Sequence, residues 1–154
     1  MILLTYDVKR YRELLGECAK EKDIVIEIGP HTGASTKVLA EKAKKVIAVD
    51  KADQAEKALE KALDNVTFVK GDVRYFETVR KVQGIVNKCD LLAFDMGGGR
   101  YPDTVFKVWG MWSGVFRPRD SIIRNRGIAE FLQRAEIADD SLKRRFKDSG
   151  WLAE

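Results

Sequence analysis

Hydrophobic positions along the chain recur with a helical period and an extended period in turn. Val8, Tyr11, Leu14, Leu15 and Cys18 fall three or four residues apart and predict an opening helix near residues 7–20. Ile24-Val-Ile-Glu-Ile28 is a short β-branched run ended by Gly29 and predicts a buried strand. Thr36, Leu39, Ala40 and Ala43 mark the next helix, and Val46-Ile-Ala-Val-Asp50 a second strand. The stripe Ala55, Ala58, Leu59, Ala62, Leu63 predicts a further helix, followed by a third strand, Val66-Thr-Phe-Val69. Tyr75, Phe76, Val79, Val82 and Val86 mark a crossover helix before a fourth strand, Leu91-Leu-Ala-Phe-Asp95. Ser121-Ile-Ile-Arg124 is the fifth strand; Ile128, Phe131, Leu132 and Ala135 follow at helical spacing, and another helix is expected over 140–147. Such alternation predicts an α/β fold with a parallel sheet. The stretch 97–119 is less regular. Gly97 to Gly99 and Pro102 predict a glycine loop, and Gly110 and Gly114 interrupt the spacing of Val105, Trp109, Trp112 and Phe116, so a short or irregular helix is expected.

Composition narrows the class. The 154 residues fit one domain, 1–154, with 45% hydrophobic and 34% charged residues. No apolar run approaches a membrane span, and Met1 to Thr5 is too short for a signal peptide, so a cytoplasmic protein without a membrane partner is expected. Cys18 and Cys89 make neither a disulfide framework nor a zinc site and read as small buried hydrophobes; no metal is expected. The net charge is +4. Residues 100–126 hold Arg100, Lys107, Arg117, Arg119, Arg124 and Arg126 against Asp103 and Asp120. Arginine suits phosphate and carboxylate, which hints at an anionic partner, although a charged run is more often a solvated face.

The chemistry rests on a spacing. Glu27, Asp50, Asp72 and Asp95 sit at or just past the ends of the first four strands, 23, 22 and 23 residues apart. Ligands of parallel α/β sheets bind beyond the carboxyl ends of the strands, so four carboxylates are expected along one rim. One aspartate after a strand is commonly a turn or helix cap; four in register are harder to explain that way. The first loop reads Glu27-Ile-Gly29-Pro30-His31-Thr-Gly33-Ala34-Ser35. A nicotinamide dinucleotide loop would want glycine at positions 29, 31 and 34, where this chain has Gly29, His31 and Ala34. Glu27 would also set negative charge near a pyrophosphate. A cationic ligand without phosphate, such as S-adenosylmethionine, suits the loop better.

The segment VIEIGPHTGASTKVLAEKAKKVIAVD resembles the first two motifs of the class I S-adenosylmethionine-dependent methyltransferases, and its wording is particularly similar to the rRNA adenine dimethyltransferases. The resemblance spans roughly residues 22–96. It implies a three-layer Rossmann-like fold with a mostly parallel sheet, its five strands in the order 3-2-1-4-5, lacking most of the usual C-terminal hairpin. It also implies that Glu27, Gly29, Pro30, His31 and Gly33 wrap the methionine part of S-adenosylmethionine. Asp50 would accept from the ribose hydroxyls, with Lys51 beside the adenine. Asp72 would accept from the adenine amino group, with the Val73 backbone nearby, and Asp95 would lie on the substrate side. His31 stands where many relatives carry glycine. The Asn-Pro-Pro-Tyr type motif of amino-group methyltransferases is absent, and Asp95-Met-Gly-Gly-Gly99 stands in its place.

Methyl transfer from a sulfonium needs alignment, exclusion of water and, for some acceptors, removal of a proton. Asp95 is the candidate to orient or deprotonate the acceptor; a structural or cofactor-side role stands equally open. Trp109 and Trp112, with Arg100, Arg117 and Arg119, resemble a base-stacking, phosphate-gripping surface, and the tryptophans fit core packing as well. The acceptor is open between a small molecule and RNA, with RNA slightly favoured. The run Phe94-Asp95-Met96-Gly97 is faintly similar to the fourth-strand motif of 2′-O-ribose methyltransferases, which carry a catalytic lysine on the fifth strand. Here that stretch offers Arg124 and Arg126, and arginine is a poor base. A non-catalytic cofactor-binding module is the second reading and an NAD-dependent oxidoreductase the third. An exposed sheet edge after the fifth strand suggests a homodimer.

Overall fold

The computed structural model describes residues 1–59, 63–97 and 100–143. Six strands form one sheet: β1 (Ile2–Thr5), β2 (Ile24–Ile28), β3 (Lys45–Asp50), β4 (Val66–Lys70), β5 (Leu91–Phe94) and β6 (Asp120–Arg124). The helices are α1 (Val8–Cys18), α2 (Ala34–Ala40), α3 (Asp53–Leu59), α4 (Phe76–Gln83), α5 (Pro102–Phe116) and α6 (Arg126–Arg134). All strand pairings are parallel, and the order is β1-β6-β5-β2-β3-β4.

This order differs from the five-strand expectation by one added strand: β4-β3-β2-β5-β6 stand in the expected order 3-2-1-4-5. The apolar start Ile2–Thr5 is a sixth strand that pairs with β6 from Ile2↔Ser121 to Thr5↔Arg124. It lies on the side of β6 away from β5, so β6 is not an edge, and the argument for a homodimer from an exposed fifth strand falls. Among the described residues no strand follows β6.

Side chains of a strand alternate between its two faces. Val25, Val46, Leu91, Ala93 and Ile122 pack against Tyr11, Leu14 and Leu15 of α1 and Leu39 and Ala40 of α2. Ile26, Ile28, Ile47, Val49, Leu92, Phe94 and Ile123 pack against Val79 and Val82 of α4, the apolar stripe of α5 and Ile128 of α6. Two cores on either side of one sheet make three layers. The same alternation puts Glu27, Asp95 and Arg124 in phase with Val25, Ala93 and Ile122, towards the α1–α2 side.

The short or irregular helix expected after Gly97 is instead α5, 15 residues long. Gly110 and Gly114 cost about 1 kcal/mol each against alanine. Val105, Val108, Trp109, Trp112 and Phe116 are all buried along one face, at about 1.5–3 kcal/mol each, and that burial prevails. Gly97 has φ +74°; Gly98 and Gly99 lie outside the described residues. Of the helix expected over 140–147, residues Asp140–Lys143 form a 3₁₀ turn and the rest lies outside the described residues. Cys89 is buried and Cys18 half-buried, neither in a disulfide.

Candidate active site

A cavity of about 590 Å³ opens beyond the carboxyl ends of β2, β3, β4 and β5, a size common for small-molecule sites. Gly29, Pro30, His31, Asp50, Lys51, Asp72, Val73 and Asp95 all line it. Two predicted residues are not in its lining: Glu27 is buried within β2, and Gly33 sits at the start of α2.

Local chemistry explains these positions. Gly29 has φ +77°, and a Cβ there would overlap the Asp95 carbonyl oxygen. Its N–H donates to Val49 O at 3.0 Å, while Asp95 N–H donates to Ile28 O at 2.9 Å. The glycine thus lets the first loop cross directly over the end of β5. His31, at φ +51°, holds a left-handed conformation that costs a side-chain-bearing residue about 1–2 kcal/mol. Gly33, at φ +79°, faces Leu59 of α3 closely.

The four acids have different surroundings. Glu27 is 1% exposed. Its Oε2 accepts from Thr36 Oγ1 at 2.6 Å, whereas Oε1 has no hydrogen-bond partner. Burial pushes its carboxyl up to about 7; the Ser35 and Thr36 hydroxyls pull it down, and Asp95 and Asp50 push it further up. Asp50 Oδ1 accepts from Ala52 N–H at 3.0 Å. Asp72 accepts from Arg74 at 2.9 Å (Nε) and 2.6 Å (Nη2), with Lys51 Nζ at 3.5 Å. The Arg74 guanidinium holds the Asp72 carboxyl well below the usual range. Asp95 Oδ2 accepts from Arg124 Nε at 2.8 Å, in a pair only 16% and 19% exposed.

The arginine–tryptophan surface expected from the sequence does not assemble. Trp109 is buried and donates to Ser121 Oγ at 3.1 Å; Trp112 is fully buried and donates to Val73 O at 2.9 Å. Their periodicity was that of a core stripe. Arg117 caps the far end of α5. Arg119 grips Asp23 with both terminal nitrogens, at 3.1 and 3.0 Å, and Asp120 with Nε at 2.7 Å. Asp23 precedes β2 and Asp120 begins β6, so these arginines belong to the opposite end of the sheet from the cavity. Arg100 is exposed beside the rim, its carbonyl accepting from Asn125 Nδ2 at 3.2 Å.

Four cavity residues escape a search for strand-end acids: Tyr11 and Arg12 from α1, Arg74 after β4, and Tyr101 before α5. Tyr11 belongs to the helix's core stripe, which masks its reach to the cavity. The Tyr11 hydroxyl, like Glu27 Oε1, is buried without a hydrogen-bond partner. Tyr101 of the lining is 66% exposed; Tyr75, 62% exposed, follows the lining residue Arg74, which lies 5.9 Å over its ring.

The lining suits an adenosyl group. Ile28, Val49, Val73 and Met96 offer apolar walls, and Asp50 and Asp72 offer acceptors for hydroxyl or amino groups.

Comparison with known proteins agrees. Residues 8–113 match the family model of the FtsJ-like methyltransferases. Over 73 residues the chain is 38% identical to a ribosomal RNA small subunit methyltransferase A from Staphylococcus carnosus (strain TM300), covering 46% of this chain and 25% of that protein. The chain therefore spans about a quarter of that relative's length. An rRNA methylase from Streptococcus thermophilus superposes with a TM-score of 0.58 at 15% identity, covering 82% of this chain and 78% of that one. A dimethyladenosine transferase from Plasmodium falciparum gives 0.57 at 20% identity, covering 90% and 48%. A Streptococcus mutans protein solved in complex with SAH gives 0.52 at 18% identity, covering 84% and 78%. At these identities the solved structures share the fold with this chain.

Proposed function

Because this chain belongs to the FtsJ-like methyltransferase family, we propose that it transfers the methyl group of S-adenosylmethionine to RNA. One observation carries the cofactor half: Asp50, Asp72 and Asp95 line one cavity whose first loop crosses above the buried Glu27. S-adenosylmethionine supplies a methyl group already activated by its sulfonium. Asp50 would accept from the ribose hydroxyls, and Asp72, which accepts from Arg74, would accept from the adenine amino group through a remaining lone pair. Lys51 and Val73 flank the adenine, Glu27 takes the ammonium, and Gly29, Pro30, His31 and Gly33 shape the loop around the methionine end. Asp95, held by Arg124 at the end of β5, would orient the acceptor.

The RNA half is supported by the rim. Tyr101, Arg12 and Arg74 line the cavity, and the exposed Tyr75 and Arg100 are their neighbours in sequence, a combination that would stack bases and grip phosphate. This rim replaces the tryptophan surface. The experiment is transfer of a labelled methyl group from S-adenosylmethionine into total RNA, with S-adenosylhomocysteine binding measured by calorimetry beside it. Ribonuclease-sensitive label is expected, and RNA affinity should fall steeply with salt. Label entering protein or small molecules instead would remove the RNA half.

A second reading has its own observation. Arg124, which stays protonated, occupies Asp95 where a proton-removing group would be useful. A cofactor-binding module without catalysis would bind S-adenosylhomocysteine yet transfer no label to any fraction of a cell extract.

A further inference from the structure

Two aromatic rings stand outside the core that the hydrophobic pattern assigns to them. Tyr75 and Phe76 fall in register with Val79, Val82 and Val86, yet the buried residues of α4 are Thr78, Val79 and Val82. Tyr75 is 62% and Phe76 46% exposed. Each carries a guanidinium over its ring: Arg74 lies 5.9 Å from the Tyr75 centroid and Arg80 5.4 Å from that of Phe76. Significant cation–π pairs occur about once per 70–80 residues, so two within residues 74–80 are a concentration, not a scatter. The backbone that bears them is pinned. Thr78 Oγ1 donates to Asp72 O at 2.7 Å, Trp112 Nε1 to Val73 O at 2.9 Å and Tyr75 N–H to Asp72 O at 3.1 Å. A surface held in this way has little freedom left to lose when a partner lies on it.

The charge of this face is one-sided. Its exposed residues are Arg74, Tyr75, Phe76, Glu77, Arg80 and Lys81. Lys81 lies 3.6 Å from Glu77 and Arg74 2.6 Å from Asp72. Among the described residues Arg80 has no acidic partner, only the Phe76 ring. A complementary partner offers planar faces and negative charge in alternation. An unpaired nucleic-acid strand does so, because every base keeps a π-face and every link a phosphate; a duplex hides those faces in its stack. Arg74 also lines the cavity, so this face begins where the cavity wall ends. Resting on the RNA reading above, we infer that Arg74, Tyr75, Phe76 and Arg80 form a stacking platform for unpaired nucleotides at the mouth of the cavity. The RNA is then a single-stranded or looped segment, gripped outside the cavity as well as within it.

The test measures fluorescence anisotropy of a short labelled RNA of mixed, unpaired sequence and of an RNA hairpin of equal length. The native chain is expected to bind the unpaired RNA about fivefold or more tightly than the hairpin. Phe76→Ala should lose about fivefold or more of its affinity for the unpaired RNA, the size of one base stack, with its salt dependence unchanged. Phe76→Leu keeps apolar bulk without a π-face and should lose nearly as much. Arg80→Gln should weaken both ligands and lower the slope of log affinity against log salt by about 0.7, one phosphate fewer. All three should keep the native affinity for S-adenosylhomocysteine. Phe131→Ala, which removes a ring 64% exposed on α6, is the control and should bind RNA as the native chain does. If the Phe76 and Arg80 variants bind unpaired RNA like the native chain, or if the native chain binds hairpin and unpaired RNA alike, the platform is overturned. That result with ribonuclease-sensitive methyl label intact leaves RNA as the acceptor. Binding as expected without such label keeps the platform and removes RNA as the acceptor.

Discussion

Replacing Glu27 by glutamine isolates the electrostatic cost of the buried acid. The native carboxyl is raised from 4.5 to about 7, chiefly by burial. In the unfolded chain it loses its proton near 4.5, so between those values the native state holds a proton that the unfolded state does not. Stability therefore falls as pH rises through this window and levels off above the folded value. A displacement of about 2.5 units corresponds to roughly 3 kcal/mol at the plateau, at about 1.4 kcal/mol per unit. Glutamine keeps the shape and an oxygen for Thr36 Oγ1 but carries no charge. Glu27→Gln should thus be more stable than the native chain by about 1 kcal/mol at pH 5 and about 3 kcal/mol at pH 8. Urea unfolding of both proteins across that range measures the difference, and other titrating groups cancel. The variant should also bind S-adenosylhomocysteine more weakly at pH 8, because an ammonium meets an amide where it met a carboxylate. A stability difference that stays flat from pH 5 to 8 would refute the reasoning, since it would place no buried charge at position 27.

Three further substitutions separate the loop from the scaffold. His31→Gly should relieve the left-handed backbone and raise stability by about 1 kcal/mol in urea titration, less the greater entropy of a glycine in the unfolded chain. Gly29→Ala should lose about 2–4 kcal/mol and most ligand binding by calorimetry, because its Cβ meets the backbone carbonyl of Asp95 and neither side can yield cheaply. Arg119→Ala should cost about 2–3 kcal/mol by leaving Asp23, only 4% exposed, without its bidentate partner. It should leave S-adenosylhomocysteine and RNA binding unchanged, since the pair lies at the amino ends of the strands; weakened RNA binding would return this arginine to the substrate surface.

Much of the scaffold was legible because its signals are periodic. Strands β2 to β6 are short apolar runs, and each stands between helical stripes that must cover a sheet face. The first strand escaped because so short a run has no alternation to set it apart; only pairing with β6, more than 100 residues away, makes it a strand. Helix α5 was underestimated for the opposite reason. Local propensity at Gly110 and Gly114 is weak, and tertiary burial of five large side chains outweighs it. That same burial removes Trp109 and Trp112 from any substrate surface: one stripe of aromatic residues cannot fill the core and face an acceptor as well.

The site was legible where it depends on the sheet and opaque where it depends on helices. A carboxylate at a strand end is displaced from its neighbour by one strand–helix unit, so sequence spacing maps directly onto a rim. Tyr11 and Arg12 have no such marker: whether a residue on α1 meets core, cavity or solvent depends on how the helix crosses the sheet. Charge counting fails for a related reason. Arg119 and Arg124 lie five residues apart on either end of β6, about 17 Å at the usual rise of a strand. One therefore closes an ion-pair network at the bottom of the sheet and the other holds Asp95 in the cavity. A basic run threaded along a buried strand is divided between two ends of the molecule, and only the upper half, with Arg12 and Arg74 from elsewhere in the chain, can meet an anionic acceptor.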